Sequence, residues 1–205
     1  VPTTQWGGLP LTLFIFVGTV AGGMPAAVLL ALGRQSRLPV IRSLSILYIE
    51  VIRGIPLVNL LFAAALLFPL FMPAGVNFDK LLRAQAGMIM FFAAYAAESV
   101  RGGLQAIPRG QYEAADSLGL SAWQRTRRIV LPQALRIVIP PLVNDVIRAF
   151  KNTSVLVIIG LLDVLGGTMA ALEDPRWSRF YVEAYLFIAA LYFAFGIAVA
   201  MASGL

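Results

Sequence analysis

Six ionisable side chains, Glu50, Arg53, Glu98, Asp145, Arg148 and Lys151, stand inside segments that are otherwise apolar. A charge at the centre of a bilayer costs about 2.5–3.5 kcal/mol on insertion scales, so each must face a bundle interior or water and find compensation there. Two chemistries fit. The carboxylates and cations could line a path and meet the opposite charges of a polar solute. They could equally pair with one another, because Glu50 and Arg53, Glu98 and Arg101, and Asp145 and Arg148 are each spaced i, i+3 on a helix. At about 1.5 Å per residue, Glu50 and Asp145 fall near mid-membrane, whereas Arg101 stands at the end of its span and can snorkel. Asp145 is the first candidate for a path residue, beside Asn144 and the tetrad Lys151-Asn152-Thr153-Ser154.

Composition narrows the function classes. The 205 residues are 60% hydrophobic and 13% charged, against about a quarter charged in soluble domains, which marks a membrane protein. There is no cysteine and no histidine, so thiolate nucleophiles, His-ligated metal sites and His-based triads are excluded, and no metal site is expected. A Walker A sequence is also missing, so ATP chemistry by that route must lie on another subunit. The net charge of +6 comes from Lys and Arg in loops beside apolar spans, the positive-inside pattern, and not from a nucleic-acid-binding stripe.

One polar stretch, Gln111 to Pro132, separates two apolar regions. Pro108 favours a helix start, and the run Gly110 to Leu118 carries Gln, Glu, Ala and Leu with Gly119 placed to end it in a left-handed conformation. Ser121 and Gln124 form a capping-box signature for a second short helix, expected to end just ahead of Pro132. With Arg109, Arg125, Arg127 and Arg128 around it, this knuckle is too polar for lipid and belongs in the cytoplasm.

Five crossings position these groups. The first runs from about Leu9 to Leu32, with Gly18, Gly22 and Gly23 read as a close-packing seam and Pro25 as a kink. A basic loop with Arg34, Arg37 and Arg42 follows. The second, about Val40 to Met72, is too long for one straight crossing, and a break is expected at Arg53-Gly54-Ile55-Pro56. Pro69, Pro73, Gly75 and Asn77 mark a turn that continues through Asp79, Lys80 and Arg83 on the opposite side. The third covers about Leu82 to Gly103, and the fourth is broken near Pro140-Pro141. The apolar stretch Val155 to Leu172 reads as a short re-entrant segment bent near Gly166-Gly167. An external loop, Glu173 to Arg179, precedes the last crossing from about Val182. Nine Lys and Arg fall in the proposed cytoplasmic regions and four in the external ones, which predicts the N-terminal end outside and the C-terminal end inside. The first apolar run lacks a preceding basic region and is too long for a signal peptide. The last one reaches Leu205 with no capping signal, so the chain is expected to be the core of a longer protein.

Glu113-Ala114-Ala115, three residues, Gly119, nine residues, Ile129, one residue, Leu131-Pro132 resembles the cytoplasmic loop motif of ABC importer permeases at every specified position. Arg53-Gly54-Ile55-Pro56-Leu57 resembles the Arg-Gly-Thr-Pro-Leu segment of the amino-acid permeases, with Ile55 for the usual Thr. Ala97 to Gly103 and the Lys151 to Ser154 tetrad also resemble that family, so the likeness extends from about Val40 to Thr153. It implies an all-α, polytopic type I ABC importer permease (MetI-like) fold over 1–205, a single transmembrane domain with its coupling loop at 105–132.

The resemblance further implies a permease subunit of an importer for polar or general L-amino acids, of the histidine/glutamine/glutamate/arginine type, in a bacterial inner membrane. Its partners would be a second permease subunit, identical or paralogous, two ATP-binding subunits and an external amino-acid-binding protein. ATP and Mg would be held by the partner and no cofactor by this chain. Glu113, Ala114, Ala115, Gly119, Ile129, Leu131 and Pro132 would engage the ATP-binding subunit. Asp145, Asn144, Lys151, Thr153, Ser154, Glu98, Arg53 and Glu50 would line the path, with Asp145 meeting the ammonium and Lys151 or Arg53 the carboxylate. Three rival functions share some of these features. An ion-coupled secondary transporter also uses broken helices and intramembrane carboxylates. An ABC permease for another small polar solute would carry the same loop, and a membrane scaffold would share the spans without a path.

The absence of cysteine makes the topology testable without background. In intact cells Ser121→Cys should be shielded from an impermeant thiol reagent and Ala74→Cys labelled; the reverse pattern contradicts five crossings with this orientation.

Overall fold

The computed structural model describes residues 7–73 and 78–204, and every element of regular length in them is helical. Ala74, Gly75 and Asn77, the proposed labelling site and two of the turn residues, lie outside the described residues. In order the helices are α1 (Gly8–Arg34), α2 (Pro39–Gly54), α3 (Leu57–Phe62), α4 (Lys80–Ala106), α5 (Arg109–Ser117), α6 (Ala122–Arg125), α7 (Leu131–Ile137), α8 (Ile139–Asn152), α9 (Val164–Leu172) and α10 (Tyr181–Ala202). The fold is that of a polytopic membrane protein. α1 and the stretch Ser178–Ala202 are each long and apolar enough to cross a bilayer alone. Two bent pairs reach the same standard together: α2 with Leu57–Phe71, at 105°, and Ala122–Ile137 with Ile139–Ile159, at 66°.

α4 falls short of that apolar standard because Lys80, Arg83, Gln85, Glu98, Arg101 and Gln105 lie along it. Its place is central nevertheless: twelve of its 27 residues are buried, against seven of the 27 in α1. At about 40 Å it outreaches a hydrocarbon core of about 30 Å. Of its polar residues, Arg83, Gln85 and Glu98 turn toward protein and meet groups of other elements, at Ala64 O, Thr19 Oγ1 and Arg34, while Arg101 and Gln105 pair along α4 itself.

Small residues set how closely α1 and α4 approach. A Cβ on Gly18 would stand 2.8 Å from Gln85 Oε1, on Gly22 2.9 Å from Ile89 Cδ1, and on Gly23 2.5 Å from Phe92 Cδ1. The glycine seam is therefore packing, as expected, and α1 continues through Pro25 as one helix. Where lipid is as apolar as leucine, such close backbone contact supplies the association energy that hydrophobicity cannot. Gln85 reinforces it by donating to Thr19 Oγ1 at 3.1 Å. Two apolar clusters follow. One gathers Ala27, Ala31, Ile49, Phe92, Ala96, Val100, Leu104, Val130, Ala134 and Val138 around the C-terminal half of α4; the other gathers Leu11, Ile15, Leu57, Leu61, Leu81, Ala84, Met88 and Leu156 around its N-terminal half. Phe150 stacks on Phe195 at 3.6 Å, with Phe16 edge-on to both rings, and docks α10 against α8 and α1.

The expected break after Gly54 is present. Ile55 and Pro56 are extended, and α3 then loosens into a π turn, Ala63–Leu67, and a 3-10 turn, Phe68–Phe71. Arg83, expected in an outer turn, lies in the first turns of α4 instead. Asp79 caps that helix by accepting from the Leu81 N–H at 2.7 Å, and the Arg83 guanidinium donates to the carbonyls of Ala64, Ala65 and Phe78. Carbonyls freed by the π turn are thus satisfied within protein, as a low-dielectric surrounding demands.

Three further expectations are corrected. The second short helix does not end at Pro132: α6 passes through a π turn, Thr126–Val130, into α7, with Pro132 near its start. The wider i, i+5 turn absorbs the ring that would otherwise strike the carbonyl of residue 128. The segment expected to be re-entrant bends at Gly160, φ 71°, and not at Gly166-Gly167, which lie inside α9. Those two glycines allow close approach, since a Cβ on Gly166 would be 3.0 Å from Val157 Cγ2 and one on Gly167 3.5 Å from Gly8. Finally, α10 ends at Ala202, with Ser203 as cap and Gly204 left-handed at φ 75°. In the loop before it, Asp174 pairs with Arg176 at 2.6 Å, and that hydrogen bond holds the Asp174 carboxyl below its ordinary range.

α4 and α7 meet at Gly103, where a Cβ would collide with Val138 Cγ1 and stand 2.7 Å from the Ala134 carbonyl oxygen. Gly103→Ala should lower the thermal stability of the purified permease by about 1–3 kcal/mol, the usual cost of overpacking. Gly102→Ala meets nothing within 4 Å and should be neutral or slightly stabilising in the same melting experiment.

Candidate functional site

The polar elbow between α4 and α7 is built from local signals that the sequence carries. Pro108 is the extended residue before α5, Leu118 closes it, and Gly119 is left-handed at φ 72°. The N–H of Leu120 donates to Ala115 O at 3.2 Å and that of Gly119 to Asp116 O at 3.0 Å, the paired bonds of a Schellman ending. Ser121 then caps α6: its Oγ accepts from the Gln124 N–H at 3.3 Å while Gln124 Oε1 accepts from the Ser121 N–H at 3.0 Å.

Two contacts brace the elbow internally and two tie it to the bundle. Arg125 forks onto Asp116, at 2.7 Å to Oδ2, and joins α6 to α5. The same guanidinium lies 5.6 Å from the Tyr112 ring centre. Tyr112 donates its hydroxyl to Leu104 O at 3.3 Å, which ties α5 back to α4, and Gln133 donates to Gln111 Oε1 at 3.0 Å, which ties it to α7. A force applied to α5 thus reaches α4 and α7 with little slack.

The motif residues divide between two faces. Glu113, Ala114, Gly119 and Pro132 are exposed, Ile129 and Leu131 are half-buried, and Ala115 is buried. Only Ala114 of the two alanines can thin the outer face; Ala115 lets α5 settle on the protein. The second helix takes its carboxylate from Asp116, so Glu113 has no side-chain hydrogen bond or ion pair among the described residues. Leu118, 77% exposed, and Trp123, 63% exposed, complete the outer face. Sequence reasoning passed over both, although two large apolar side chains inside the most polar stretch of the chain were a visible signal.

Within the bundle the charges form two linked groups. Glu98 accepts from two guanidinium groups, Arg34 at 2.8 Å and Arg101 at 2.9 Å, and forms a longer ion pair with Arg53 at 3.7 Å. Glu50 pairs with Arg34 at 3.0 Å and not with Arg53, because Arg53 is drawn across to α4. The i, i+3 pairs Glu98–Arg101 and Asp145–Arg148 are present, the second at 3.1 Å. Asp145 is buried and also accepts from Ser99 Oγ at 2.7 Å. Tyr95 connects the groups, with the Arg53 and Arg148 guanidinium carbons 5.5 and 5.4 Å from its ring centre. Beside it a cleft bounded by Thr19, Tyr95, Asp145, Arg148 and Asn152 has only about 10 Å³ of room, enough for a water and not for a solute.

The remaining candidates stand apart. Asn144 and Lys151 are exposed, and Lys151 has no side-chain partner among the described residues. Thr153 and Ser154 turn their hydroxyls back to the carbonyls of Phe150 and Lys151, both at 2.8 Å, and so finish α8. A further polar group was missed. Asp163, fully buried, caps α9 through the Gly166 N–H at 2.9 Å and accepts from the Tyr192 hydroxyl at 3.1 Å, while Thr12 Oγ1 accepts from the Val164 N–H at 2.9 Å. The signal was an acidic residue within an otherwise apolar run, placed where a helix restarts.

Residues 23–204 match the family model described as "Binding-protein-dependent transport system inner membrane component". The chain is 51% identical over 195 residues to the inner membrane amino-acid ABC transporter permease protein YhdY of Escherichia coli K12, covering 95% of this chain and 53% of that protein. It is 47% identical over 196 residues to the glutamate/glutamine/aspartate/asparagine transport system permease protein BztC of Rhodobacter capsulatus, covering 95% and 45%. The chain thus spans about half the length of these two relatives. Among solved structures, a chain from an amino acid ABC transporter crystallised with histidines superposes with a TM-score of 0.83 at 30% identity, covering 96% of this chain and 89% of that one. A chain of the inward-facing MetNI methionine ABC transporter shares the fold, with a TM-score of 0.70 at 18% identity over 95% and 90% of the two chains. The architecture is therefore the MetI-like permease fold, and the chain belongs to the family of binding-protein-dependent transport system inner membrane components.

Proposed function

We propose that this chain is the membrane-spanning core of a permease subunit in an ATP-driven importer of polar or general L-amino acids. It works by alternating access in a bacterial inner membrane, with its N-terminal end outside and its C-terminal end inside. A second permease subunit, two ATP-binding subunits that hold ATP and Mg, and an external amino-acid-binding protein complete the assembly. Relatives named as amino-acid permeases support the solute class.

The observation that carries this reading is the elbow. Glu113 is an exposed carboxylate without a partner among the described residues, on a short helix whose outer face is thinned by Ala114 and flanked by exposed Leu118 and Trp123. The inner side of the same helix is tied to α4, α6 and α7. Such an element suits docking to a moving ATP-binding subunit, where the charge fixes register and the apolar residues give contact area. It converts that subunit's movement into displacement of the helices bearing Glu98 and Asp145.

Asp145, Arg148 and Tyr95 border the solute's route in this account. Asp145 offers charge for an ammonium, and Lys151 or Arg53 for a carboxylate, replacing part of the hydration that a zwitterion loses in transit. Glu50 and Glu98, held by arginines, keep the bundle in register, and Thr153 and Ser154 shape the end of α8.

Glu113→Lys should insert and assemble with the second permease subunit yet weaken docking of the ATP-binding subunit by roughly thirtyfold, the equivalent of about 2 kcal/mol. Uptake and substrate-stimulated ATPase of the reconstituted complex should fall together, and normal values of both remove α5 from the contact. Asp145→Asn keeps size and leaves Arg148, whose side chain is 48% exposed, partnered by water, so assembly and basal ATPase should persist. Uptake should weaken, with a changed preference between cationic and neutral amino acids; unchanged uptake and preference exclude Asp145 from the path.

A further inference from the structure

Where the C-terminal end of α1, the first turns of α2 and the last turns of α4 meet, they border an open cavity of about 520 Å³ lined by Arg34, Gln35, Arg42, Ile46, Arg101 and Gln105. Among the described residues no carboxylate lines it. Three arginines line it, Arg34, Arg42 and Arg101; Glu50 and Glu98 pair with Arg34 and Arg101, which leaves the charge of Arg42 as a surplus. Arg101 is largely committed, to Glu98 and to Gln105 Oε1 at 2.8 Å, and Arg34 uses one terminal nitrogen on Glu50 and Glu98. Arg42 is different: its guanidinium has no partner among the described residues. The Gln105 amide nitrogen and the Gln35 side chain add neutral donors.

We infer that this cavity binds the phosphate headgroup of an anionic phospholipid. A guanidinium matches phosphate oxygens with a planar fork of donors, and a cavity with donors, surplus positive charge and no carboxylate on its described wall favours an anion. The surroundings choose lipid over a soluble anion. The cavity lies at the ends of membrane-spanning helices, on the side of the α5–α6 elbow, which is where headgroups sit. Beside Arg42, α2 and the residue before it present Leu38, Val40, Ile41, Leu44 and Leu47, each 45–67% exposed, a continuous apolar strip on which acyl chains can lie. A basic pocket between spans with an apolar flank has the form expected of a headgroup site on the cytoplasmic leaflet.

A bound headgroup would also neutralise the surplus charge next to the Arg34–Glu98–Arg101 network, and so join the elbow end of α4 to the composition of the membrane. The choice of leaflet rests on the orientation proposed above; the binding itself does not.

The test uses the assembled transporter, purified and exchanged into mixed micelles offering phosphatidylglycerol and phosphatidylcholine equally, with retained lipid read by native mass spectrometry. Wild type should retain phosphatidylglycerol preferentially. Arg42→Gln should retain it roughly fivefold less, about 1 kcal/mol for one basic residue at the membrane surface, and Arg42→Lys should recover most of the difference. In phosphatidylcholine nanodiscs wild type and Arg42→Gln should hydrolyse ATP equally, and adding phosphatidylglycerol should change the rate of wild type alone. Equal retention of both lipids by wild type overturns the inference, as does undiminished retention by Arg42→Gln. Binding of inorganic phosphate without any preference for phosphatidylglycerol assigns the cavity to a free anion instead. Protection of Arg42→Cys from thiol reagents by the ATP-binding subunit in the absence of phospholipid assigns it to a protein partner. Lipid retention can be read on the permease alone, so failure of the importer reading would leave this measurement intact.

Discussion

Glu98 gathers guanidinium groups from α1, α2 and α4 onto one carboxylate. Three helices that cross an apolar medium have little hydrophobic reason to prefer one rotation over another, because lipid competes equally for their leucines. A charge network supplies that preference: a rotation that removes Arg53 from Glu98 leaves that guanidinium without a carboxylate, and one that removes Arg34 undoes the ion pair joining α1 to α4. The closeness of α1 and α4 that lets Arg34 reach comes in turn from Gly18, Gly22 and Gly23. Packing and charge are thus interdependent in the centre of the molecule.

The same rule, that polar groups must be satisfied within protein, governs the irregular backbone. At the π turn after α3, Arg83 provides donors for freed carbonyls. Where the chain turns between α8 and α9, Thr12 and Asp163 accept backbone N–H groups that no helix would otherwise use. The breaks sit where other elements can serve them, so they are stable features and also the places at which the spans can change angle without losing every hydrogen bond.

The elbow is a polar element set between α4 and α7. Its inner face is fixed by Asp116–Arg125, Tyr112–Leu104 and Gln133–Gln111, and its outer face leaves Glu113, Leu118 and Trp123 open. That division between a tied side and a free side is the physical form a transmitting element needs. The arginine-lined cavity lies at the same end of the bundle, so two surfaces at that end can act on α4.

Much of this was legible in the residues. The membrane class, the break after Gly54, the bend before Pro140-Pro141, the glycine seam, the left-handed Gly119 and the Ser121–Gln124 capping box all follow from local rules. Proline lacks a donor, glycine tolerates positive φ, and a capping hydroxyl reaches only its own first turn; no distant contact can alter these. The partners of the charges were not legible in the same way. Spacing i, i+3 made Glu50–Arg53 as plausible as Asp145–Arg148, yet only the second exists, because Arg34 and Glu98 arrive from other helices and take the first pair apart. Tertiary structure alone brought Tyr192 to Asp163 and Arg125 to Asp116, and carried a helix through Pro132 by way of a π turn. A sequence states which groups need a partner; which partner each obtains depends on how closely helices pack, and that closeness is summed over contacts from the whole bundle.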